Sequence, residues 1–380
     1  MLIRCLYCGR EKDESEFSDE HVIPRRVGGN LTPVNPFKLR VCQRCNNICG
    51  FFVDGTFLKS WFTQNQIAMN AFRSLRLTNS TILPLTFLGR LNDHSYQSKI
   101  CELWLGPTGD TIFHFHDPYP EEPDSSVIVG TPPHLQPHEF DSGFVFLFIR
   151  SNNPAWHPSI VLSLANQFKH SQLFLGNGQP PPGGPFSEIP SYLSELHAHL
   201  TTISRLPHNA SFSITTHYAD RFMAKVALGL GGLLLRNDFC ASESANLLRR
   251  FLWTKDWQLR ETIPIMGISF LGGEIQQMPT LSWPGGHTVL LKPSGNQLIL
   301  FLRFFDQQQA IIAVSNNSQH WNGLIPDDGI VYVISPGLST YVGPKTLPSF
   351  CAHQQGFHID SDLRALTNSE ISYPLPPFDI

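Results

Sequence analysis

Charge is scarce in this chain of 380 residues: Asp, Glu, Lys and Arg make up 15% of it, against 41% hydrophobic residues. Disordered tails show the opposite balance, so a folded, core-forming chain is expected. A basic excess is missing as well. The formal net charge is −4, which excludes a protein coated in cations and leaves room for a small basic site on a near-neutral body. Long apolar runs are also absent. The longest, Val226 to Leu235, is interrupted by Gly229, Gly231 and Gly232 and is too short to span a bilayer. The opening residues lack an apolar secretory core, so a cytoplasmic location with no membrane partner is expected. No internal repeat is visible, and the length allows about two domains.

Cysteine is sparse too, but unevenly so. Five of the eight lie in the first 50 residues: Cys5, Cys8, Cys42, Cys45 and Cys49. Cys101, Cys240 and Cys351 stand alone. Cys5-x-x-Cys8 and Cys42-x-x-Cys45 are matched knuckles separated by 33 residues. In a reducing compartment this spacing points to a metal site rather than disulfides. Four thiolates suit tetrahedral Zn²⁺, and a site closed by four protein ligands is structural. A module of about 50–60 residues buries little apolar surface, and metal binding supplies the missing folding energy. Cys49 falls outside both pairs and is expected to be a small buried apolar residue.

Between the knuckles, Val22 and Ile23 predict a short strand that Pro24 ends, and Gly28-Gly29 predicts a turn. Lys38 to Val41 predicts a second strand running into Cys42. Asn46 to Asp54 is compatible with a helix. The order is strand, turn, strand, helix, pinned at both ends by zinc.

These residues carry a resemblance. Cys5-x-x-Cys8-Gly, Glu20-His21-Val-Ile-Pro24, Gly28-Gly29-Asn30 and Cys42-x-x-Cys45-Asn46-x-x-x-Gly50 resemble the HNH endonuclease family, with its ββα-metal (His-Me finger) core. The match covers about the first 60 residues. It implies that His21 is the general base that activates water for attack on a phosphodiester. It implies further that Glu20 and Asn46 are catalytic residues holding one divalent metal, Mg²⁺ or Mn²⁺. Phe37 stands where many members have an asparagine that orients the base, a role left to Asn30 or Asn35. Asn46 stands at the motif's last position, where the family has His or Asn, and is the asparagine form.

The charge distribution agrees with a nucleic-acid partner, DNA in the first place. From His21 to Ser60 there are six basic residues against one acid, whereas the chain from Trp61 onward has 18 basic and 24 acidic residues. Arg25, Arg26, Lys38, Arg40 and Arg44 are the expected phosphate contacts. Asp54 reads first as an ordinary polar residue at a helix end, with the alternative that a carboxylate just beyond the motif helix reaches the site.

The expected organisation is a nuclease module over 1–60, a linking helix over 61–80 and an α+β body with a mainly antiparallel sheet over 81–380. Predicted strands include Ile100–Leu105, Thr111–Phe115, Gly143–Ile149 and four between His287 and Ile334; predicted helices include Tyr192–Ile203, Ala219–Leu235 and Ser242–Trp253. Proline-rich stretches at Pro118–Pro137 and Gln179–Pro185 read as loops. Ser242 or Ser244 caps the last helix. Gly229-Leu-Gly-Gly232 lacks the context of a phosphate loop and predicts close helix packing. His114 and His116 share a strand face; half-exposed strand histidines are the commoner reading, a metal pair the alternative. The body is expected to set target choice, homo-oligomer assembly or activation by a small molecule, as in a bacterial defence effector. The competing reading is a zinc-stabilised nucleic-acid-binding protein without cleavage.

Overall fold

The computed structural model describes residues 1–28, 31, 34–60, 63, 85–106, 108–118, 143–150, 157–178, 183–206, 217–267, 281–305 and 308–369. The chain gathers into two compact units. One joins Met1–Leu58 to Thr216–Ile371, and the other contains Lys59–Thr215. The expected body of 81–380 is therefore divided, because its second half shares a core with the N-terminal module. The linking helix expected over 61–80 lies outside the described residues except Thr63, as do residues 119–137 and 179–182 of the two predicted loops.

The N-terminal module begins with an antiparallel ribbon of β1 (Leu2–Arg4) and β2 (Glu11–Asp13) around the first knuckle. β3 (Phe17–His21) then pairs antiparallel with β4 (Lys38–Cys42), placing His21 opposite Lys38. α1 (Gln43–Cys49) follows at once, widens into a π-helical turn at Gly50–Asp54 and resumes as α2 (Gly55–Lys59). The strand–turn–strand–helix order is present, with two shifts. The first strand ends at His21, so Val22 and Ile23 lie beyond it, both fully buried. Their β-branched side chains fill the core rather than a sheet face. The helix starts at Gln43 rather than Asn46 because Cys42, in extended conformation, serves as its N-terminal flank.

In the unit Lys59–Thr215, β5 (Thr86–Tyr96), β6 (Lys99–Leu105), β7 (Thr111–His116) and β8 (Phe144–Phe148) form an antiparallel sheet. α3 (His157–Gln167) then carries the chain to β9 (Gln172–Leu175), which is parallel to β8. Parallel neighbours require such a crossover. Ile112, Val145 and Leu147 pack on Ile160 and Leu164 of α3. Phe113, Phe115, Phe144 and Phe146 pack on the other side with Leu200 and Ile203 of α4 (Ser194–Ile203). Both faces of the sheet are covered, which is why β8 is apolar at every position rather than alternating.

The C-terminal half supplies α5 (His217–Leu234), α6 (Glu243–Trp253) and the short α7 (Trp257–Glu261). A five-stranded antiparallel sheet follows: β10 (His287–Ser294), β11 (Gln297–Phe304), β12 (Gln308–Ser315), β13 (Ile330–Ser335) and β14 (Thr340–Thr346). Its strand order is β12-β11-β10-β13-β14. α8 (Leu347–Gln354) and α9 (Ser361–Ser369) cover one face through Phe350, Leu363 and Leu366. α5 and α6 pack against each other and against β12. The fold class is α+β, as the sequence predicts.

This half also grips the N-terminal module. A Cβ at Gly229 would meet Val22 at 2.7 Å, and one at Gly232 would collide with Leu6. The glycines therefore let α5 lie directly on the knuckle segment. Phe57 stacks on Phe222 with centroids 3.9 Å apart. Arg249 donates to the Leu6 carbonyl and Trp253 to the Tyr7 carbonyl, each at 2.7 Å.

Candidate functional site

The sulfurs of Cys5, Cys8, Cys42 and Cys45 all lie within 4.8 Å of one another. The β1–β2 ribbon carries the first pair, and the β4–α1 junction carries the second. The backbone N–H of Cys42 points at the Cys5 sulfur, 3.4 Å away. A hydrogen bond from the Cys45 thiol draws the Cys5 thiol down to about 4, and Cys5 in turn pushes Cys45 up. Burial raises the Cys8 thiol. Thiols at this spacing compete for one negative charge until a cation joins them. The donor set fits zinc, whose bonds to thiolate are about 2.3 Å long. Cys49 is fully buried outside the set, and burial pushes its thiol up.

Strand alternation sends Glu20 and His21 to opposite faces of β3. His21 is half-buried. Arg25 donates through Nε to His21 Nε2 at 3.4 Å, which makes Nε2 the acceptor and leaves the ring proton on Nδ1. Burial pulls the imidazole below its ordinary 6.5, and the cations of Arg25, Lys38 and Lys225 pull it further. At neutral pH the ring is therefore uncharged and able to accept a proton.

Glu20 turns inward and is 4% exposed. Its Oε1 lies 2.5 Å from Nζ of Lys225, a fully buried lysine in the middle of α5. Asp54, on the π-helical turn, reaches the same ammonium through Oδ2 at 2.6 Å. Lys225 also donates to the His21 carbonyl at 3.3 Å, and the Tyr7 hydroxyl donates to Glu20 Oε1 at 3.4 Å. Burial raises both carboxylates, with Lys225 opposing it. Burial alone would lower Lys225, but the two carboxylates outweigh it and the lysine is raised. An unpaired charge in such a place is strongly disfavoured, so the three groups depend on one another.

Asn46 lies on α1 and donates through Nδ2 to the Ser18 hydroxyl and the Asp19 carbonyl, both at 2.9 Å. It ties the helix to β3. The carboxylate expected to hold a divalent ion instead holds an ammonium, and the expected second ligand is engaged with the strand. Arranged in this way, Glu20 is paired with Lys225, and Asn46 is tied to the strand through Nδ2 rather than through the Oδ1 by which an amide binds a cation.

Of the expected phosphate contacts, Arg25, Lys38, Arg40 and Arg44 are exposed. Lys38 pairs with Asp19 at 2.6 Å and Arg40 with Glu14 at 2.9 Å, so both are partly neutralised. The side chain of Arg26 and all of Asn30 lie outside the described residues. Asn35 accepts from the Phe37 N–H at 2.9 Å and closes the turn into β4. Phe37 is buried edge-on against Tyr332, with centroids 5.2 Å apart.

Sequence reasoning missed Lys225 and Tyr7, and it preferred a helix-end role for Asp54 over the alternative that its carboxylate reaches the site, as it does through Lys225. One signal was available. Lys225 is the only charge in the run Phe222 to Leu235, and a cation in an apolar helix needs a buried counterion. Residues 5–62 match a family model described as HNH endonuclease. No curated protein and no solved structure matches the chain.

Proposed function

We propose that this chain hydrolyses phosphodiester bonds in nucleic acid, with DNA as the first substrate and His21 as general base. The observation that carries the reading is the state of His21: an uncharged imidazole at the end of β3, inside the segment that matches the HNH family, with cations on its own surface. A water molecule that displaces the long Arg25 contact would give its proton to Nε2 and attack phosphorus, while the P–O bond to the leaving ester oxygen breaks and that oxygen takes a proton from solvent. Arg25, Arg40, Arg44, Lys38 and Arg26 would hold the phosphates on either side. Zinc on the four cysteines would hold β1–β2 and β4–α1 in place. No step is assigned to Mg²⁺ or Mn²⁺, since Glu20 is paired with Lys225. The residues from 81 onward would govern access or assembly, and a role in defence against foreign DNA belongs to the same reading.

The Lys225 contact favours a second reading. A site whose acidic ligand is neutralised by lysine would bind nucleic acid without cutting it. Incubating plasmid DNA and RNA with the full chain, in Mg²⁺, Mn²⁺ or chelator, separates the two. Hydrolysis predicts cleavage that falls about 10²–10⁴-fold in His21→Ala with zinc content unchanged. The rate should require the neutral ring, so it is flat above neutral pH and drops only as pH falls below the ordinary histidine value. Retarded but intact nucleic acid in both proteins would establish the binding reading instead.

A further inference from the structure

In the unit Lys59–Thr215, three buried side chains of metal-ligating type converge on one sheet face. Glu102 of β6 is the direct cross-strand partner of His114 on β7, and His116 follows two residues on, on the same side. The three ligand atoms lie within 4.8 Å of one another. Glu102 is 1% exposed, His116 is 0% and His114 is 8%, so the half-exposed histidines expected from the sequence are in fact enclosed.

The contacts are long for hydrogen bonds and match the spacing of ligands around a cation. His114 Nδ1 is 3.3 Å from Glu102 Oε2, and His116 Nε2 is 3.4 Å from Glu102 Oε1. Normal N–H···O contacts run at about 2.7–3.2 Å. With metal–ligand bonds of about 2.0–2.1 Å, the edge of a tetrahedron is roughly 3.3 Å.

The surrounding bonds fix the ring orientations. His116 Nδ1 is 2.8 Å from the Asp117 carbonyl, which can only accept, so the proton sits on Nδ1. With Nδ1 donating, Nε2 faces the Glu102 carboxylate, where a proton or a metal cation can lie between them. His114 Nε2 meets the Ser171 hydroxyl at 3.4 Å, which leaves Nδ1 to face Glu102. The Trp104 indole donates to Glu102 Oε2 at 3.2 Å, and the Phe168 ring lies 4.7 Å from His114. Outer bonds that lock tautomer and carboxylate are typical of metal-ligating histidine.

We propose that Glu102, His114 and His116 form a second metal site, separate from the four cysteines, that takes a divalent transition ion of the zinc type. Two imidazoles and a carboxylate are borderline donors suited to such ions. Three protein ligands leave a coordination position for water or an anionic ligand.

The test is metal stoichiometry on the purified full chain. After loading with Zn²⁺ and removal of excess, wild type should carry two equivalents. Glu102→Gln and His116→Ala should each carry one. After Co²⁺ substitution, the thiolate-to-cobalt absorption of the four-cysteine site should be the same in all three proteins, which shows that the variants are folded. One equivalent in wild type overturns the proposal, because a protonated histidine pair would then fill the cluster. Two equivalents retained in both variants overturns it as well.

Discussion

The four-cysteine cluster and the Glu20–Lys225–Asp54 cluster both pin the N-terminal module, by opposite routes. The first is assembled from two short knuckles, each four residues long, within the first 45 residues. Its geometry is local and an ion would complete it. The second needs an ammonium delivered by α5, 204 residues after His21 and 171 after Asp54. Nothing in the spacing of Glu20 or Asp54 announces that partner. The module is thus held once by a motif it carries itself and once by a charge that exists for it only after the chain has folded back.

The sharpest way to break this comparison is to remove the local pin. Structural zinc contributes on the order of 10 kcal/mol of folding free energy in small modules. Cys42→Ser, or exhaustive chelation, should release the zinc and unfold the ribbon and the β3–β4 pair. Zinc analysis together with hydrogen exchange of residues 1–58 reads this directly. A variant that retains full zinc and native protection would show that the cluster is not the module's anchor.

Removing the distant pin should cost less. Lys225→Met leaves two buried carboxylates without a counterion, and breaking a buried pair from one side costs about 3–5 kcal/mol. Replacing all three groups together, as Glu20→Gln, Asp54→Asn and Lys225→Met, should recover most of that loss, because the neutral set has no charge to desolvate. Urea unfolding of the single and triple variants at neutral pH supplies both numbers. A single variant as stable as wild type would mean that the triad is not a buried ion cluster at all.

What could be read from the sequence follows from this contrast. The four-cysteine cluster, the order of β3, β4 and α1, the β10–β11 hairpin and the packing role of Gly229–Gly232 were legible, because each depends on residues close in sequence or on a small residue's lack of bulk. Strands β5, β9 and β14 were not. Among the described residues, β5 and β14 are edge strands, paired on one side, and their apolar pattern is weak. β9 is four residues long and owes its place to the crossover through α3. Val22 and Ile23 read as strand because β-branching favours it, yet both are buried beyond the strand's end, Val22 against Gly229 of α5, which the local pattern does not contain. The division at residue 58 was hidden for the same reason: the contacts that bind the module to residues 216–371 join distant segments.

A third perturbation tests another long-range contact, this time with pH. His287 is fully buried; its Nδ1 accepts from the Phe305 N–H at 3.1 Å, so Nε2 carries the proton and donates to the Val27 carbonyl at 2.7 Å. Burial depresses its pKa from 6.5 to about 3. The unfolded chain therefore takes up the proton first as pH falls. This group leaves stability untouched above about pH 6.5 and erodes it progressively down to about pH 3, by roughly 1.4 kcal/mol per pH unit. At pH 5 the loss should be about 2 kcal/mol. His287→Gln should be less stable than wild type at pH 7 but should lack this slope. Equal slopes in the two proteins would remove His287 from the account.

The smallest effect belongs to a local feature, and it separates legibility from energy. Ser242 and Ser244 were equal candidates to cap the helix before Arg249-Arg250. The structure assigns the cap to Ser242, whose hydroxyl accepts from the Ala245 N–H at 3.1 Å, whereas Ser244 accepts from the Asn316 N–H. Ser242→Ala should cost about 1 kcal/mol, the usual worth of such a cap. Comparing the two alanine variants by thermal unfolding tests the assignment, and a larger loss at Ser244 would reverse it. The cap and the zinc knuckles are equally visible in the sequence yet differ about tenfold in expected energy. The Lys225 cluster lies between them in energy and left almost no trace in the sequence. What makes a feature legible is the short stretch of chain it occupies, so a ranking of residues by how plainly they read would misplace the lysine that holds the module's acidic residue.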